Sequence, residues 1–458
     1  MNYLGYELAH AFISPLRFWS TALRLGLDNP FSPMSLNPFS KSLSAALEVF
    51  EGLTKRYGKP VFGIAETTIT GIKATISEER VLSKPFCDLL HFKRDPAVTS
   101  QRNDPKVLLI APMSGHYATL LRGTVKSMLP EHELYITDWK DARHVPIADG
   151  RFDLDDFIDY IIEFVQHLGP NTHVMAVCQP AVPALAAAAL MAKRDMAVQP
   201  ASLTLMGGPI DTRRNPTAVN KLAMQKSLSW FERNVVTVVP FPQGGFMRRV
   251  YPGFIQLSGF MTMNLERHQT AHYELFQHLV KGDCDSVNQH RQFYDEYLAV
   301  MDLSAEFYLQ TVKAVFQTHD LPNKTFMHRG ELVDCSAIRK TALMTIEGEK
   351  DDICGVGQTE AAHDLCPNIR PDEHFHYLQL GVGHYGVFNG TRYRTEIQPR
   401  IREMIRTIDA RRRAEAGSRQ TPVAEPEAEA INVAPSAVAA RSLTTLRLQD
   451  LQPTGKPN

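Results

Sequence analysis

The residue best placed to do chemistry in this sequence is a cysteine at a corner of the chain. Cys178 follows an apolar run, 174–177, suited to a buried strand, and precedes Pro180 and an alanine-rich stretch of strong helix-forming composition. Proline is tolerated in a first helical turn because its missing N–H has no partner there, so Pro180 marks the helix start. A thiol at that position faces the unpaired N–H groups of the turn. They favour thiolate, the form that attacks carbonyl carbon. Strand, nucleophile and helix in this order make a nucleophile elbow with cysteine in the place of the commoner serine; the glycines usual two residues to either side are here Ala176 and Pro180. Taken alone, the stretch reads equally well as a buried structural cysteine.

A cysteine nucleophile needs a base and a group that orients the base. The chain order after an elbow is nucleophile, acid, histidine, and the sequence offers it. An apolar run at 341–346 leads into Glu347-Gly-Glu-Lys-Asp-Asp, which puts carboxylates just past a strand end. Another run, 375–380, leads into Gly381-Val-Gly-His-Tyr-Gly386. Of 17 histidines, His384 is the one with a strand before it and glycines around it, which let the backbone carry an imidazole over the elbow. Asp351 is favoured over Asp352 as its partner, as the first residue past the Glu347-Gly-Glu-Lys turn. The oxyanion donors expected are the N–H of Gln179 and one from Pro112-Met-Ser-Gly-His-Tyr117, either Met113 or Ser114. His116 in that loop either touches substrate or packs.

The elements that must hold these residues alternate between strand and helix from about residue 84. Apolar runs at 107–111, 134–137 and 203–206 read as strands. Asp153 caps a helix to Leu168 with Leu154, Phe157, Ile158, Ile161, Ile162 and Val165 on one face, stopped by Gly169-Pro170. Such alternation predicts a parallel sheet covered on both faces, an α/β-hydrolase, with its chemistry at the carboxyl ends of the strands. Before it, 1–83 reads as a helical extension. A first helix to about Asp28 carries the stripe Leu4, Leu8, Phe12, Leu16, Trp19 and Leu23, is interrupted at Pro15, and is expected to pack on the parent domain, with binding to an apolar surface as the alternative; a second spans 44–57. The core divides into 84–210 and 341–412 around an inserted lid, 211–340, rich in aromatics, of which Trp230 and Phe254 are the candidate substrate contacts. From about residue 413 the composition is that of a disordered tail.

With 458 residues, 44% of them apolar, the chain has ample core. A formal charge of −1 gives no electrostatic case for nucleic acid, and no apolar run approaches the roughly 18 residues of a membrane span. Six cysteines without CxxC spacing favour reduced thiols and a cytoplasmic setting over disulfides or zinc, and Glu7 without a basic flank argues against a secretory signal.

Beyond these patterns the sequence resembles the intracellular poly(3-hydroxybutyrate) depolymerases from about residue 1 to 408. The resemblance rests on Lys84-Pro-Phe-Cys87, Pro112-Met-Ser-Gly-His-Tyr-Ala-Thr-Leu-Leu-Arg122, Val177-Cys-Gln-Pro180, Met206-Gly-Gly-Pro-Ile-Asp211 with Pro216-Thr-Ala-Val-Asn220, Arg248-Arg-Val-Tyr-Pro-Gly-Phe254, Phe293-Tyr-Asp-Glu-Tyr297, and Gly383-His-Tyr-Gly386. It implies Cys178, Asp351 and His384 as a triad acting on amorphous polymer in cytoplasmic storage granules, with no metal or cofactor, and leaves open a homo-oligomer. A thioester intermediate also admits coenzyme A as acyl acceptor in place of water. Two competing readings are a polyhydroxyalkanoate synthase-like acyltransferase, whose elbow usually has glycine where this chain has Pro180, and a noncatalytic granule-coat protein.

Overall fold

The computed structural model describes residues 3–29, 31, 37–263 and 265–420. Nine strands build one sheet: β1 (Glu66–Ile69), β2 (Ile72–Ser83), β3 (Cys87–Arg94), β4 (Lys106–Ile110), β5 (Glu133–Trp139), β6 (Thr172–Val177), β7 (Ser202–Met206), β8 (Ala342–Gly348) and β9 (His374–Gln379). Their spatial order is β1-β2-β3-β5-β4-β6-β7-β8-β9. Neighbours from β5 to β9 run parallel, whereas β1, β2, β3 and β5 pair antiparallel in turn. This is the α/β-hydrolase arrangement.

Central strands are buried on both faces, and every residue of β6 and β7 is buried. Helix α1 (Tyr3–Leu27) and α2 (Pro38–Thr54) precede the sheet. Helix α3 (Leu154–Leu168) begins at Asp153, whose carboxylate accepts from the N–H groups of Asp155 and Asp156, and every predicted face residue is buried. Its Phe157 stacks on Trp139 of β5 at 4.3 Å. Helix α4 (Ala181–Lys193) is buried along almost its whole length, so it needs no polar side. Each fully buried Leu, Ile or Phe in these layers contributes about 1.5–3 kcal/mol.

The first 83 residues depart from the expected all-helical extension, because β1 and β2 lie there and the sheet starts at Glu66. Thr70 and Gly71, at φ 48° and 85°, close a two-residue hairpin that pairs Ile69 with Ile72. Strand β3 was likewise unforeseen. Helix α1 is continuous through Pro15. The lost intrahelical bond is offset by anchors on either side: Tyr3 donates to Asp302 at 2.7 Å, and Arg24 Nε reaches Glu51 of α2 at 3.2 Å. The α1 stripe faces solvent, contrary to expectation, with Leu4 59%, Phe12 78% and Trp19 69% exposed. Helix α2 starts at Pro38, ahead of the predicted 44, because Asn37 accepts from the Phe39 N–H and proline fits the first turn.

After β7 the chain leaves the sheet and returns at β8. The intervening segment includes α5 (Leu228–Asn234), α6 (Gly253–Met263) and α7 (Ala305–Thr311). The last helix, α8 (Gln398–Gln420), carries regular structure past the predicted tail start at 413. The rest of that tail, 421–458, lies outside the described residues.

Candidate active site

Cys178 sits between β6 and α4 at φ 67°, a conformation that L side chains rarely adopt and that costs on the order of 1–2 kcal/mol. Its N–H donates to Met206 O at 2.7 Å, and its carbonyl accepts from Ala181 at 3.0 Å, so the strained turn is pinned on both sides. The turn also depends on Gly208, where a Cβ would lie 2.1 Å from that of Ala181.

The structure brings His384 to this sulfur. Nδ1 of His384 contacts Asp351 Oδ2 at 2.8 Å, which leaves Nε2 for the hydrogen bond with Cys178. Oδ1 of Asp351 accepts from the N–H groups of Ile353 at 2.9 Å and Cys354 at 2.8 Å, so both carboxylate oxygens are engaged. Asp352 points to solvent, which separates the two candidates geometrically. Burial alone lowers the basicity of His384. The Asp351 carboxylate, with Cys178 next, outweighs it and raises the imidazole pKa well above its ordinary value. Gly207, at φ +56°, allows the close approach: a Cβ there would stand 3.3 Å from His384 Cε1 and 3.4 Å from Asp351 Oδ2.

Behind the triad stands a carboxylate that sequence reasoning grouped with the others and gave no role. Glu347 is 1% exposed and accepts from Gly357 at 2.8 Å, Thr359 at 2.7 Å and Glu360 at 3.0 Å. Thr359 in turn donates to Gly208 O at 3.0 Å and accepts from Gly208 N at 2.8 Å. The acid loop is thereby tied to the elbow. Glu347, Glu360 and His376 form the one grouping of three metal-ligand side chains among the described residues. Since three backbone N–H groups occupy the Glu347 carboxylate, the grouping reads as loop support.

Cys178 and His384 open onto a cleft of about 430 Å³, lined mostly by apolar side chains. Met113, Ser114, His116 and Gln179 line the same cleft, so the loop after β4 and the residue after the nucleophile both reach the sulfur's surroundings. His116 is buried, with Nε2 on Tyr297 O at 3.1 Å, and burial lowers its pKa to about 4; it forms wall and stays neutral near pH 7. A second cysteine, Cys354, also lines the cleft, but burial pushes its thiol pKa up and it hydrogen-bonds Gln358. Neither Trp230 nor Phe254 is on this wall. Trp230 turns away while its neighbour Phe231 on α5 enters, one residue being about 100° of helix. Phe254 stacks on Tyr6 of α1 at 4.1 Å and lines a separate, more open depression of about 1210 Å³. None of Cys178, His384 and Asp351 reaches that depression, so the smaller cleft is the candidate site. Its aromatic wall is Phe231, Tyr251, Phe307, Tyr308 and Phe316, with Tyr385 and Phe388 beside His384.

Among solved structures the chain is similar to a thermophilic esterase from Thermogutta terrifontis, with 14% identity over 76% of this chain and 98% of that one and a TM-score of 0.38. It is similar to a monoacylglycerol lipase of Paleococcus ferrophilus, with 9% identity over 67% and 96% and a TM-score of 0.40. It also resembles an α/β-hydrolase from Penicillium sp. sh18, with 14% identity over 73% and 99% and a TM-score of 0.42. No curated protein matches the sequence. The sequence model of the family described as PHB de-polymerase C-terminus matches residues 207–409, the stretch that contains Asp351, His384 and the cleft's aromatic wall but not Cys178. Over that stretch the chain is similar to the PHB depolymerase family.

Proposed function

We propose that this protein is an intracellular depolymerase that hydrolyses ester bonds of amorphous poly(3-hydroxybutyrate) to 3-hydroxybutyrate and its oligomers through a cysteine acyl-enzyme. The observation that carries the reading is the line Cys178, His384, Asp351 at the floor of an apolar cleft. The Asp351 carboxylate raises the His384 pKa despite burial, so the imidazole hydrogen-bonded to the Cys178 sulfur is well suited to take the proton of that thiol and hold it for the leaving group.

In the first half-reaction the Cys178 sulfur bonds to the ester carbonyl carbon. Backbone N–H groups of Gln179 and of Met113 or Ser114 face the resulting oxyanion. The carbon–oxygen bond breaks, and the alkoxide takes the proton from His384. In the second, water attacks the thioester carbon, gives its proton to His384 and releases the acid and the thiolate.

The partner surface follows from the exposed α1 stripe. Leu4, Leu8, Phe12, Leu16, Trp19 and Leu23 share one face, while Glu7, Arg17 and Arg24 lie off it and contact Arg56, Thr54 and Glu51. A stripe without charge suits an uncharged polyester surface better than an anionic lipid. The test is acid release from amorphous polymer by wild type, Cys178→Ala, His384→Ala and Asp351→Asn. Release by Cys178→Ala at the wild-type rate would leave the triad without a role.

A further inference from the structure

Gln179 carries a second, unexplained feature: both polar atoms of its side chain, Oε1 and Nε2, are shielded from solvent and have no hydrogen-bond partner among the described residues. An amide left this way costs on the order of 1–3 kcal/mol for each group. It belongs to the residue that follows the nucleophile, and it lines the cleft beside Cys178 and His384. Among the other polar groups of the cleft, Cys354 is bonded to Gln358 and His116 to Tyr297, Thr311 Oγ1 is likewise shielded and without a partner among the described residues, and Gln179 alone leaves a donor and an acceptor bare together next to Cys178. The unsatisfied amide therefore marks where the cleft has room for a polar group of its ligand.

Resting on the depolymerase reading, we infer that the Gln179 side chain is a specificity-determining group that reads the hydroxyl-bearing end of a 3-hydroxyacyl chain. An amide offers one donor side and one acceptor side. Every oxygen inside a polyester chain is an acceptor, so an internal segment satisfies Nε2 and leaves Oε1 bare. A terminal unit supplies both partners: its ester carbonyl accepts from Nε2, and its free 3-hydroxyl donates to Oε1. A site built around a hydroxyl discriminates strongly against the analogue that lacks the proton, because the analogue leaves the buried acceptor unpaired. The cleft thereby favours chain ends and short oligomers over the middle of a chain.

The experiment compares two trimers of 3-hydroxybutyrate, one with a free hydroxyl terminus and one O-methylated there, as substrates of wild type and Gln179→Met. The wild type is expected to prefer the free trimer in kcat/KM by about tenfold or more, the ratio set by one hydrogen bond of about 1.4 kcal/mol. In Gln179→Met that preference falls to about one, and thermal stability stays level or rises, since an unpaired amide has been replaced by an apolar chain of similar length. A preference that survives in Gln179→Met, or a wild type without one, overturns the inference. So does a lowered melting temperature in Gln179→Met, which would mean that the amide is held by the protein. Wild type that cleaves neither trimer overturns the depolymerase reading itself, and this inference with it.

Discussion

Gly207→Ala isolates the geometry of the triad from its chemistry. The residue lies at the end of β7 with φ +56°, where any side chain beyond glycine costs roughly 1–2 kcal/mol. The added methyl would stand 3.3 Å from His384 Cε1 and 3.4 Å from Asp351 Oδ2, inside the ordinary carbon contact distance of about 3.5–4.0 Å. The ring and the carboxylate must therefore give way by a few tenths of an ångström. His384 is held at two points, by Asp351 and by Cys178, and cannot move without loosening one of them. Misplacement of a reacting group by about 1 Å costs roughly a hundredfold in rate, so a shift of half that size costs about tenfold. The assay is kcat/KM on a soluble 3-hydroxybutyrate ester, read beside thermal unfolding. The expected result is a tenfold loss of activity with at most about 2 kcal/mol of stability. Activity within twofold of wild type, with the stability loss present, would show that the approach of Gly207 does not set the triad.

Asp351→Asn removes the largest influence raising the His384 pKa, so the alkaline limb of the activity profile should move to lower pH. The same shift governs stability. A histidine whose pKa is raised by folding contributes stability that is complete below its unfolded value near 6.5 and is lost as pH rises through the folded value. The melting temperature of Asp351→Asn should therefore fall less steeply above neutral pH than that of wild type; parallel curves would contradict the assignment. Glu347→Gln presents an NH₂ group to backbone donors and leaves at least one of them unpaired, for a loss of about 1–3 kcal/mol in denaturant unfolding together with reduced activity. The double variant Phe12→Asp, Trp19→Asp should lose far more activity on amorphous polymer than on a soluble ester, and equal losses on both would remove α1 from polymer contact.

The parts of this fold legible in the sequence are those with one dominant local signal. The run 174–177 with Cys178 and Pro180, and the capped stripe of α3, state strand, corner and helix in their own residues. Strands β1 and β2 were hidden because an antiparallel sheet edge is half solvated, and β3 because its largely buried run is broken up by Asp88, His91 and Arg94. Apart from Ile72 the exposed residues of β2 are polar or charged, and only Thr70-Gly71 announced the hairpin. Candidate site residues were legible where strand ends and glycines framed them, as at His384, which the structure brings to Asp351 and Cys178. Phe231 and Trp230 are the opposite case: adjacent aromatics on one helix, of which burial and not type decides the one that meets the cleft. The α1 stripe misled because apolar periodicity reports a face and not what covers it.

Glu347 shows how far the integrity of the site extends beyond the atoms that react. Through Thr359 it steadies Gly208, which accommodates the turn from Cys178 into the helix that follows it, so a lesion two links from the sulfur should register as an inactive enzyme. Screens that score only turnover would file Glu347 with Cys178 and His384, although its side chain is sealed beneath the loop. Measuring unfolding alongside turnover tells the beam from the blade.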